Sequence, residues 1–362
     1  MNKKSLIGLA ILVVVAGIVF LTQSSDELEF LENSEPVDPI TVTGFVGGEK
    51  SRYLRNPQVV DILRNRYGIT FDATKAGSVE MVTTLPTQGK NCLWPSNQVA
   101  VEFHRQRGGT LVAEENIFNS PIVLYTWDVV ADALIAQGLV SEREGILFVS
   151  DFPAVIEKVV GGTEWKEVGL PQLFGKMKIF STDPRRSNSG NMFSGLLANM
   201  MNGGEVVTEA SVGAVETELA GYFERMGFME HSSGDIFENF LKTGVGAKPI
   251  IVGYENQLVE FAIEHQEHID MLRQKIRTLY PVPTVWSSHP IIALDGDCKR
   301  LIEAMQDADL QRLAWEQHGF RSGLMGVEND PAALPVSGVP RSIDAVVPMP
   351  GAAVMKRIID AL

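Results

Sequence analysis

Three loops of this chain carry small hydroxyl, amide or glycine residues directly after a strand-like run. The richest is the third loop, which ends in Ser187, Asn188, Ser189 and Gly190. It precedes an apolar stretch from Met192 to Met201 that is predicted to be helical. Hydroxyl and amide groups beside a helix N-terminus offer neutral hydrogen-bond donors to a dehydrated oxyanion. Helix capping explains one of these serines but does not account for the whole cluster.

The first loop follows the β-branched run Ile40 to Val46, and it consists of Gly47, Gly48, Glu49, Lys50 and Ser51. A phosphate loop occupies the same position, but Glu49 separates the glycines from Lys50, so the pattern of nucleotide-hydrolysing proteins is not met. What remains is a glycine-rich turn whose backbone N–H groups can cradle an anion or a polar ligand. A tight turn with Ser51 near a helix cap explains the same residues equally well.

The second loop is Ala76-Gly77-Ser78, and it follows the strand-like run Ile69 to Lys75. Capping of the next helix by Ser78 explains this loop fully. Only the equivalence of its position to that of the first loop, each after a strand and before a helix, indicates a role of Gly77 and Ser78 in ligand binding.

The chain offers no constellation suited to catalysis or to a metal. No G-x-S-x-G elbow supports a serine hydrolase, and no set of nucleophile, base and orienting group is coherent. His265 and His268 stand three residues apart without a further ligand, which predicts a solvated helix face. The formal charge of -14 at pH 7 argues against nucleic acid as a partner. We therefore expect no catalytic residues, metal or cofactor.

The N-terminal residues are predicted to lie outside the globular body. Lys3 and Lys4 precede an uncharged run from Leu6 to Leu21, which is short for a spanning helix of about 20 residues and long for a signal-peptide core. Residues 1–21 are therefore a signal peptide or a membrane anchor, and residues 22–39 an acidic tether. With both lysines ahead of the run, an anchor would place the rest of the chain outside the cytoplasm.

The body of the chain is predicted to be an α/β protein with mostly parallel sheets. Strand-like runs from Pro121 to Tyr125, Lys178 to Ser181 and Pro249 to Tyr254 are each followed by helical sequence. Ligands of such sheets collect at the carboxyl ends of the strands. The two cysteines, Cys92 and Cys298, can form one bridge at most, and the sequence leaves open whether they do.

The third loop, within DPRRSNSGNMFSGLLANM, resembles a segment of the type 2 periplasmic solute-binding proteins, especially their molybdate- and sulfate-binding-like group. The segment Tyr280-Pro281-Val282-Pro283 and the later LQRLAWEQHGF are similar to the tyrosine-proline strand, last helix and closing glycine-phenylalanine of that family. The likeness extends from about Ile40 to Arg321. It is carried by the order and spacing of these motifs.

The resemblance implies two α/β lobes joined by two crossing strands, with the ligand held in the cleft between them. Lobe 1 would comprise residues 40–121 and 254–330, lobe 2 residues 122–253, and residues 331–362 a C-terminal extension. Pro121 to Tyr125 and Ile250 to Tyr254 would be the crossing strands. The ligand contacts carried over from the family are Gly48, Glu49, Lys50, Ser51, Gly77, Ser78, Ser187, Asn188, Ser189, Gly190 and Tyr254.

The function that the resemblance implies is extracytoplasmic capture of a small polar ligand, with an oxyanion as the candidate, for an ABC transporter permease or a sensing partner. The alternative is a membrane-anchored interaction module of an envelope complex, with the same fold and no transported ligand. Glu49 and Glu255 depart from an oxyanion site. An acid that points into the cleft would repel a dianion and favour a zwitterion or a cation.

Overall fold

The computed structural model describes residues 38–362, so the apolar run Leu6 to Leu21 and the acidic segment through residue 37 lie outside the described residues. The strands are β1 (Ile40–Val46), β2 (Ile69–Lys75), β3 (Cys92–Trp94), β4 (Ala113–Trp127), β5 (Ser141–Arg143), β6 (Ile146–Val149), β7 (Ile250–Tyr254), β8 (Ile276–Pro281), β9 (Trp286–Ala293) and β10 (Arg321–Ser322). None of the helices in residues 38–362 has the length and apolar character needed to cross a membrane.

The helices alternate with these strands along most of the chain, which confirms the α/β class. They are α1 (Ser51–Arg55), α2 (Pro57–Tyr67), α3 (Glu80–Thr83), α4 (Gln98–Gln106), α5 (Asp128–Ala136), α6 (Phe152–Gly161), α7 (Asn188–Met201), α8 (Val212–Glu224), α9 (Ser233–Thr243), α10 (Glu255–Glu264), α11 (Ile269–Lys275), α12 (Gly296–Met305), α13 (Ala308–His318) and α14 (Ala352–Ala361). The predicted strand, loop and helix units after β1 and β2 are both present.

The long strand β4 joins the two halves of the sheet. Its first part, Ala113 to Pro121, pairs with β9, and its second part, Ile122 to Trp127, pairs with β7 and β8. We refer to β1, β2, β3, β9, β10 and the first part of β4 as the first half, and to the remaining strands as the second half. The predicted crossing strands thus lie side by side, with Ile122 opposite Tyr254.

The pairs that β4 makes are all antiparallel, so the prediction of mostly parallel sheets is wrong around this strand. The reason is that the chain runs out along β4 and returns along β7, β8 and β9. The run Lys178 to Ser181 is also not a regular strand, because Phe180 makes only an isolated bridge to Ile251. Parallel pairing is present between β1 and β3 and between β6 and β8.

The strand β8 lies in the second half of the sheet, where Leu124 is opposite Leu279. From the sequence this strand is expected in lobe 1, within residues 254–330, but a strand joins whichever neighbour its register and apolar faces fit, and that neighbour is the second part of β4. Residues 254–330 therefore contribute to both halves. The division of the chain into two lobes at the stated boundaries stays a prediction.

The C-terminal segment packs against both halves. Val354, Met355 and Ile358 of α14 share an apolar cluster with Leu196 of α7 and with Val99 of α4. The next two residues of α4, Ala100 and Val101, belong to a second apolar cluster, which also contains Leu93 of the first half. The helix α14 therefore lies over the junction between the two halves.

Cys92 and Cys298 form a disulfide, which settles the question that the sequence left open. Their Cα atoms are 5.5 Å apart, and the bridge ties β3 to α12 across 206 residues of chain. A bridge of this kind typically stabilises a fold by about 2–4 kcal/mol. It fixes the strand that leads into Ser96 and Asn97, two residues of the site described below.

Candidate functional site

Polar side chains from six distant parts of the chain meet near the crossing strands, and most of them are buried. Hydrogen bonds and ion pairs link them into one group, which we name the polar cluster: Glu49, Lys50, Ser78, Ser96, Asn97, Thr182, Ser187, Asn188, Ser189, Tyr254, Ser287 and His289. Apolar burial drives the folding of each half, whereas buried polar groups must find partners to avoid a desolvation cost. In this cluster most of the partners are other members.

Asn188 joins the two halves of the structure. Its Nδ2 donates to the carbonyl oxygen of Ser96 at 3.0 Å and to the hydroxyl of Tyr254 at 2.9 Å. Its Oδ1 accepts from Nδ2 of Asn97. Ser96 and Asn97 follow β3 in the first half, whereas Asn188 begins α7 and Tyr254 ends β7 of the second half. The amide of Asn188 therefore connects a first-half loop to the end of a crossing strand.

Lys50 and Glu49 form a buried ion pair in the first loop. The ammonium group of Lys50 also lies 2.8 Å from Oγ of Ser96 and 3.2 Å from Nδ1 of His289. The hydroxyl of Ser96 donates in turn to Oε1 of Glu49. The Lys50 side chain is fully buried, and that of Glu49 is 8% exposed.

Burial and charge together set the protonation of this pair. Burial would raise the pKa of Glu49, but the Lys50 ammonium and a hydrogen bond with His289 outweigh it and hold the pKa well below its ordinary value. Burial lowers the pKa of Lys50, and the Glu49 carboxylate opposes that change. Burial and the nearby Lys50 lower the pKa of His289 to about 4. At neutral pH the group therefore contains one carboxylate, one ammonium and a neutral imidazole, with no net charge.

Glycines allow the loops to approach each other closely. A Cβ atom on Gly47 would lie 2.8 Å from Nζ of Lys50 and would also clash with Oγ of Ser96. A Cβ atom on Gly190 would clash with the backbone of Thr182 and lie 2.9 Å from the nitrogen of Pro184. Gly190 therefore requires glycine for reasons of space, because its neighbours are backbone atoms, whereas a side chain at Gly47 would displace the side-chain ends of Lys50 and Ser96.

The loops predicted from the sequence are brought together to different degrees. Glu49, Lys50, Ser78, Asn188 and Tyr254 belong to the cluster, and so do two residues beside Asn188, namely Ser187 and Ser189. Gly77 and Gly190 contribute close backbone approach, and a Cβ atom on Gly77 would be 3.2 Å from the carbonyl oxygen of Arg186 in the third loop. Gly48 packs instead against Lys75, and the half-buried Ser51 begins α1.

Five cluster members were not predicted from the sequence, and they are Ser96, Asn97, Thr182, Ser287 and His289. Asn97 had a local signal, since its side chain caps α4 by accepting from the amide of Ala100 at 2.7 Å. Ser287 and His289 are two residues apart on β9 and so face the same side of the sheet. Their proximity to Lys50 depends on tertiary structure and has no local signal.

Glu255 does not point into the cluster, although it directly follows Tyr254 in the sequence. Its carboxylate accepts from Nε and Nη2 of Arg321 at 2.6 and 2.8 Å, and from the hydroxyl of Tyr280 at 2.7 Å. The guanidinium of Arg321 also donates to the carbonyl oxygens of Pro340 and Arg341. Glu255 thus holds the C-terminal segment against α10 and β10.

No metal site is found among residues 38–362, since no group of three or more His, Cys, Asp or Glu side chains in this part of the chain is arranged to hold an ion. His265 and His268 both approach Glu267 at an exposed position, as expected for a solvated surface.

No protein-family model matches the sequence, and no curated protein matches it significantly. Solved structures do match its fold. Apo ferric ion-binding protein A from Pasteurella haemolytica is 12% identical with a TM-score of 0.57, and the match covers 89% of this chain and 96% of that one. The substrate-binding protein of an ABC transporter from Agrobacterium tumefaciens is 12% identical with a TM-score of 0.53, with coverage of 92% and 96%.

A third match is a Trichodesmium protein in complex with iron and citrate, which is 9% identical with a TM-score of 0.52 and coverage of 89% of this chain and 98% of that one. Structural matches at identities this low establish the fold of this chain but not its ligand. The similarity extends over nearly the whole length of these proteins. The chain therefore has the fold of the type 2 periplasmic solute-binding proteins, as the resemblance of its third loop implied.

Proposed function

We propose that this protein is an extracytoplasmic solute-binding protein that captures a small polar ligand at the polar cluster. The observation that carries the proposal is the position of Asn188, whose amide bonds to a first-half loop and to the end of a crossing strand. A ligand that reaches the same groups would be enclosed by both halves. The ligand would be bound and released unchanged.

Ligand binding at this place would be coupled to a hinge motion. The strands that connect the halves, β4 and β7, are packed side by side, and rotation about them would separate the loops of the cluster. Hydrogen bonds between Asn188, Ser96 and Tyr254 would then open to water and re-form around a ligand. A ligand shifts this equilibrium by its preference for the closed state.

A transport or sensing role is supported by one of the structural matches. The Agrobacterium tumefaciens match is the substrate-binding protein of an ABC transporter, and a permease of that class is the partner proposed for this chain. The buried Cys92–Cys298 disulfide suits an oxidising compartment outside the cytoplasm. Both a secreted and a membrane-anchored form agree with this proposal.

The direct test is isothermal titration with sulfate, molybdate, ferric citrate, sugars and L-amino acids, combined with small-angle scattering. We expect one class to release or absorb heat and to reduce the radius of gyration. Asn188→Ala should weaken that binding about tenfold or more, because a buried amide that joins the halves is lost. Asn202→Ala is the matched control, since Asn202 lies at the other end of α7 and bonds only to its own turn, at Glu205.

Two outcomes would contradict the proposal. One is the absence of heat and of compaction with every ligand class. The other is unchanged binding by Asn188→Ala with the same midpoint of thermal unfolding as the control.

An interaction module of an envelope complex is the second candidate, and two exposed aromatic residues favour it. Phe174 and Phe228 are 102% and 82% exposed. Their loops are adjacent, since Nζ of Lys178 donates to the carbonyl oxygen of Arg225 at 3.0 Å. The two candidates are distinguished by the cellular function of three variants. If that function survives both Ser78→Ala and Ser189→Ala but is lost with Phe174→Ser, the protein acts as an interaction module and not as a solute-binding protein.

A further inference from the structure

We propose that the ligand is a zwitterion with a protonated amine, and that the free carboxylate oxygen of Glu49 binds this amine. The inference rests on the proposed solute-binding function and adds the class of ligand. It follows from which hydrogen-bonding atoms of the polar cluster are already used and which are still free.

Lys50 has no donor left for an anion. An ammonium group carries three N–H donors. Lys50 directs two of them to Oε1 of Glu49 and to Oγ of Ser96 at 2.8 Å, and the third faces Nδ1 of His289 at 3.2 Å and the carbonyl oxygen of Pro95 at 3.4 Å. An oxyanion that sought this charge would have to break one of these buried bonds. Lys50, which the family resemblance places among the ligand contacts, therefore serves to position Glu49.

Glu49, by contrast, keeps one carboxylate oxygen free. Lys50, Ser96 and His289 all approach Oε1. Among residues 38–362, no group donates a hydrogen bond to Oε2. The side chain is more than nine-tenths buried, and its ionised form is held by the adjacent ammonium. Oε2 is an ionised acceptor to which none of the described groups donates and which stays accessible from outside the cluster, and a protonated amine meets it with charge as well as with hydrogen bonds.

The charge balance selects a zwitterion over a dianion or a simple cation. The carboxylate of Glu49 and the ammonium of Lys50 cancel, and His289 is neutral above its pKa of about 4. A zwitterion would leave the enclosed site neutral, whereas a dianion would add two negative charges beside a fixed carboxylate. Uncompensated charge is costly to bury, because it loses its hydration without gaining a partner.

The hydroxyl groups of the cluster suit the carboxylate of such a ligand. The hydroxyl of Tyr254 lies beside those of Ser189 and Ser287, and burial together with the Glu49 carboxylate raises the pKa of Tyr254 well above its ordinary value. The two sides are linked through Ser96, whose hydroxyl donates to Glu49 and whose carbonyl oxygen accepts from Asn188, which also donates to Tyr254. Ser189 and the start of α7 offer neutral donors to a ligand carboxylate.

The test is calorimetric titration of the purified protein with glycine, L-serine, L-glutamine, glycine betaine, sulfate and molybdate. We expect binding of an amino acid, and much weaker binding of betaine, whose nitrogen has no N–H to donate. Glu49→Gln should weaken amino-acid binding about tenfold to a hundredfold, the loss of a hydrogen bond to a charged group. Glu303→Gln, at an exposed pair with Lys299, is the control and should bind like the unmodified protein.

The outcomes separate this inference from the proposed function. Binding of sulfate or molybdate with compaction, or binding of an amino acid unchanged by Glu49→Gln, would overturn the inference and leave the solute-binding role intact. Binding of glycine and glycine betaine with equal affinity would also overturn it. Absence of binding and compaction with every probe, including those of the broader panel, would overturn both. The midpoint of thermal unfolding of Glu49→Gln, compared with that of the unmodified protein, distinguishes a loss of binding from a loss of folding.

Discussion

Glu49 and Glu255 are both buried beside a basic side chain, yet their hydrogen bonds are used in opposite ways. Both oxygens of Glu255 are occupied, by Arg321 and Tyr280, and Arg321 also bonds to the C-terminal segment. Glu49 has all its partners on one oxygen, while the donors of its lysine are all used. The first pair has its hydrogen bonds satisfied within the protein, and the second keeps one carboxylate oxygen for the proposed ligand.

This difference shows that burial of an ion pair does not by itself identify its role. A buried pair contributes little net stability unless its remaining hydrogen-bonding capacity is satisfied. Where it is satisfied within the protein, removal of one partner should reduce stability. Where one acceptor is left over, removal should reduce binding more than stability.

The largest effect is expected for Arg321→Met, which leaves Glu255 buried without its cation. We expect a loss of about 3–5 kcal/mol in the free energy of unfolding, measured by urea denaturation. Arg312→Met is the control, because Arg312 and Asp309 form an exposed pair with 58% and 36% of their side chains accessible, and such pairs contribute about 1 kcal/mol or less. Equal effects of the two substitutions would contradict the structural role of Glu255.

A smaller effect is expected from two matched tyrosine substitutions. Tyr280→Phe removes a hydroxyl that donates to the Glu255 carboxylate and should cost about 2 kcal/mol of stability. Tyr254→Phe removes a hydroxyl that accepts from the neutral amide of Asn188 and should cost about 1 kcal/mol, with a larger loss in ligand affinity. Denaturation and titration of both variants test the comparison, which fails if Tyr280→Phe weakens binding more than Tyr254→Phe does.

The site of Glu49 should also be the more sensitive to acid. The pKa of His289 in the folded protein is about 4, below the ordinary value of 6.5, so the unfolded chain binds more protons between these values. Stability from this group is therefore complete above about pH 6.5 and is lost as the pH falls toward about 4. We expect a loss of about 1.5 kcal/mol between about pH 6.5 and about pH 5, measured by urea denaturation.

His289→Gln should remove this part of the pH dependence, since glutamine does not titrate. The Lys50 ammonium and the Glu49 carboxylate face His289, and Glu49 begins to take up protons only at lower pH, because its own pKa lies well below 4.5. The same slope of stability with pH in His289→Gln and in the unmodified protein would exclude His289 as its origin.

The sequence was informative where the signal was local. The runs Ile40 to Val46 and Ile69 to Lys75 and the loops that follow them were predictable because strand, glycine turn and helix leave a continuous pattern. The third loop was predictable from its small polar residues ahead of an apolar helical stretch, although the run before it is not a regular strand, and α7 begins at Asn188 within it. The local pattern of these loops indicates Ser78 and Ser189 as candidates, and the resemblance to the family adds Glu49 and Lys50.

What the sequence could not supply was the partner of each group. Lys50 and His289 are 239 residues apart, and they meet because β9 lies between β3 and β4 in the sheet. The pairing of β8 with the second part of β4 is a similar choice among distant neighbours. The sequence also could not show which of Glu49 and Glu255 keeps a carboxylate oxygen without a hydrogen bond. Both residues follow a strand and precede or begin a helix, so only their distant contacts distinguish them.

The most direct test of the central claim is a crystal structure of the protein with the amino acid that binds best in titration. The account predicts that the amine of this ligand lies within hydrogen-bonding distance of Oε2 of Glu49, and that the ligand carboxylate lies near the hydroxyl of Ser189. A ligand bound elsewhere, with the hydrogen bonds of Glu49, Asn188 and Tyr254 unchanged, would contradict it.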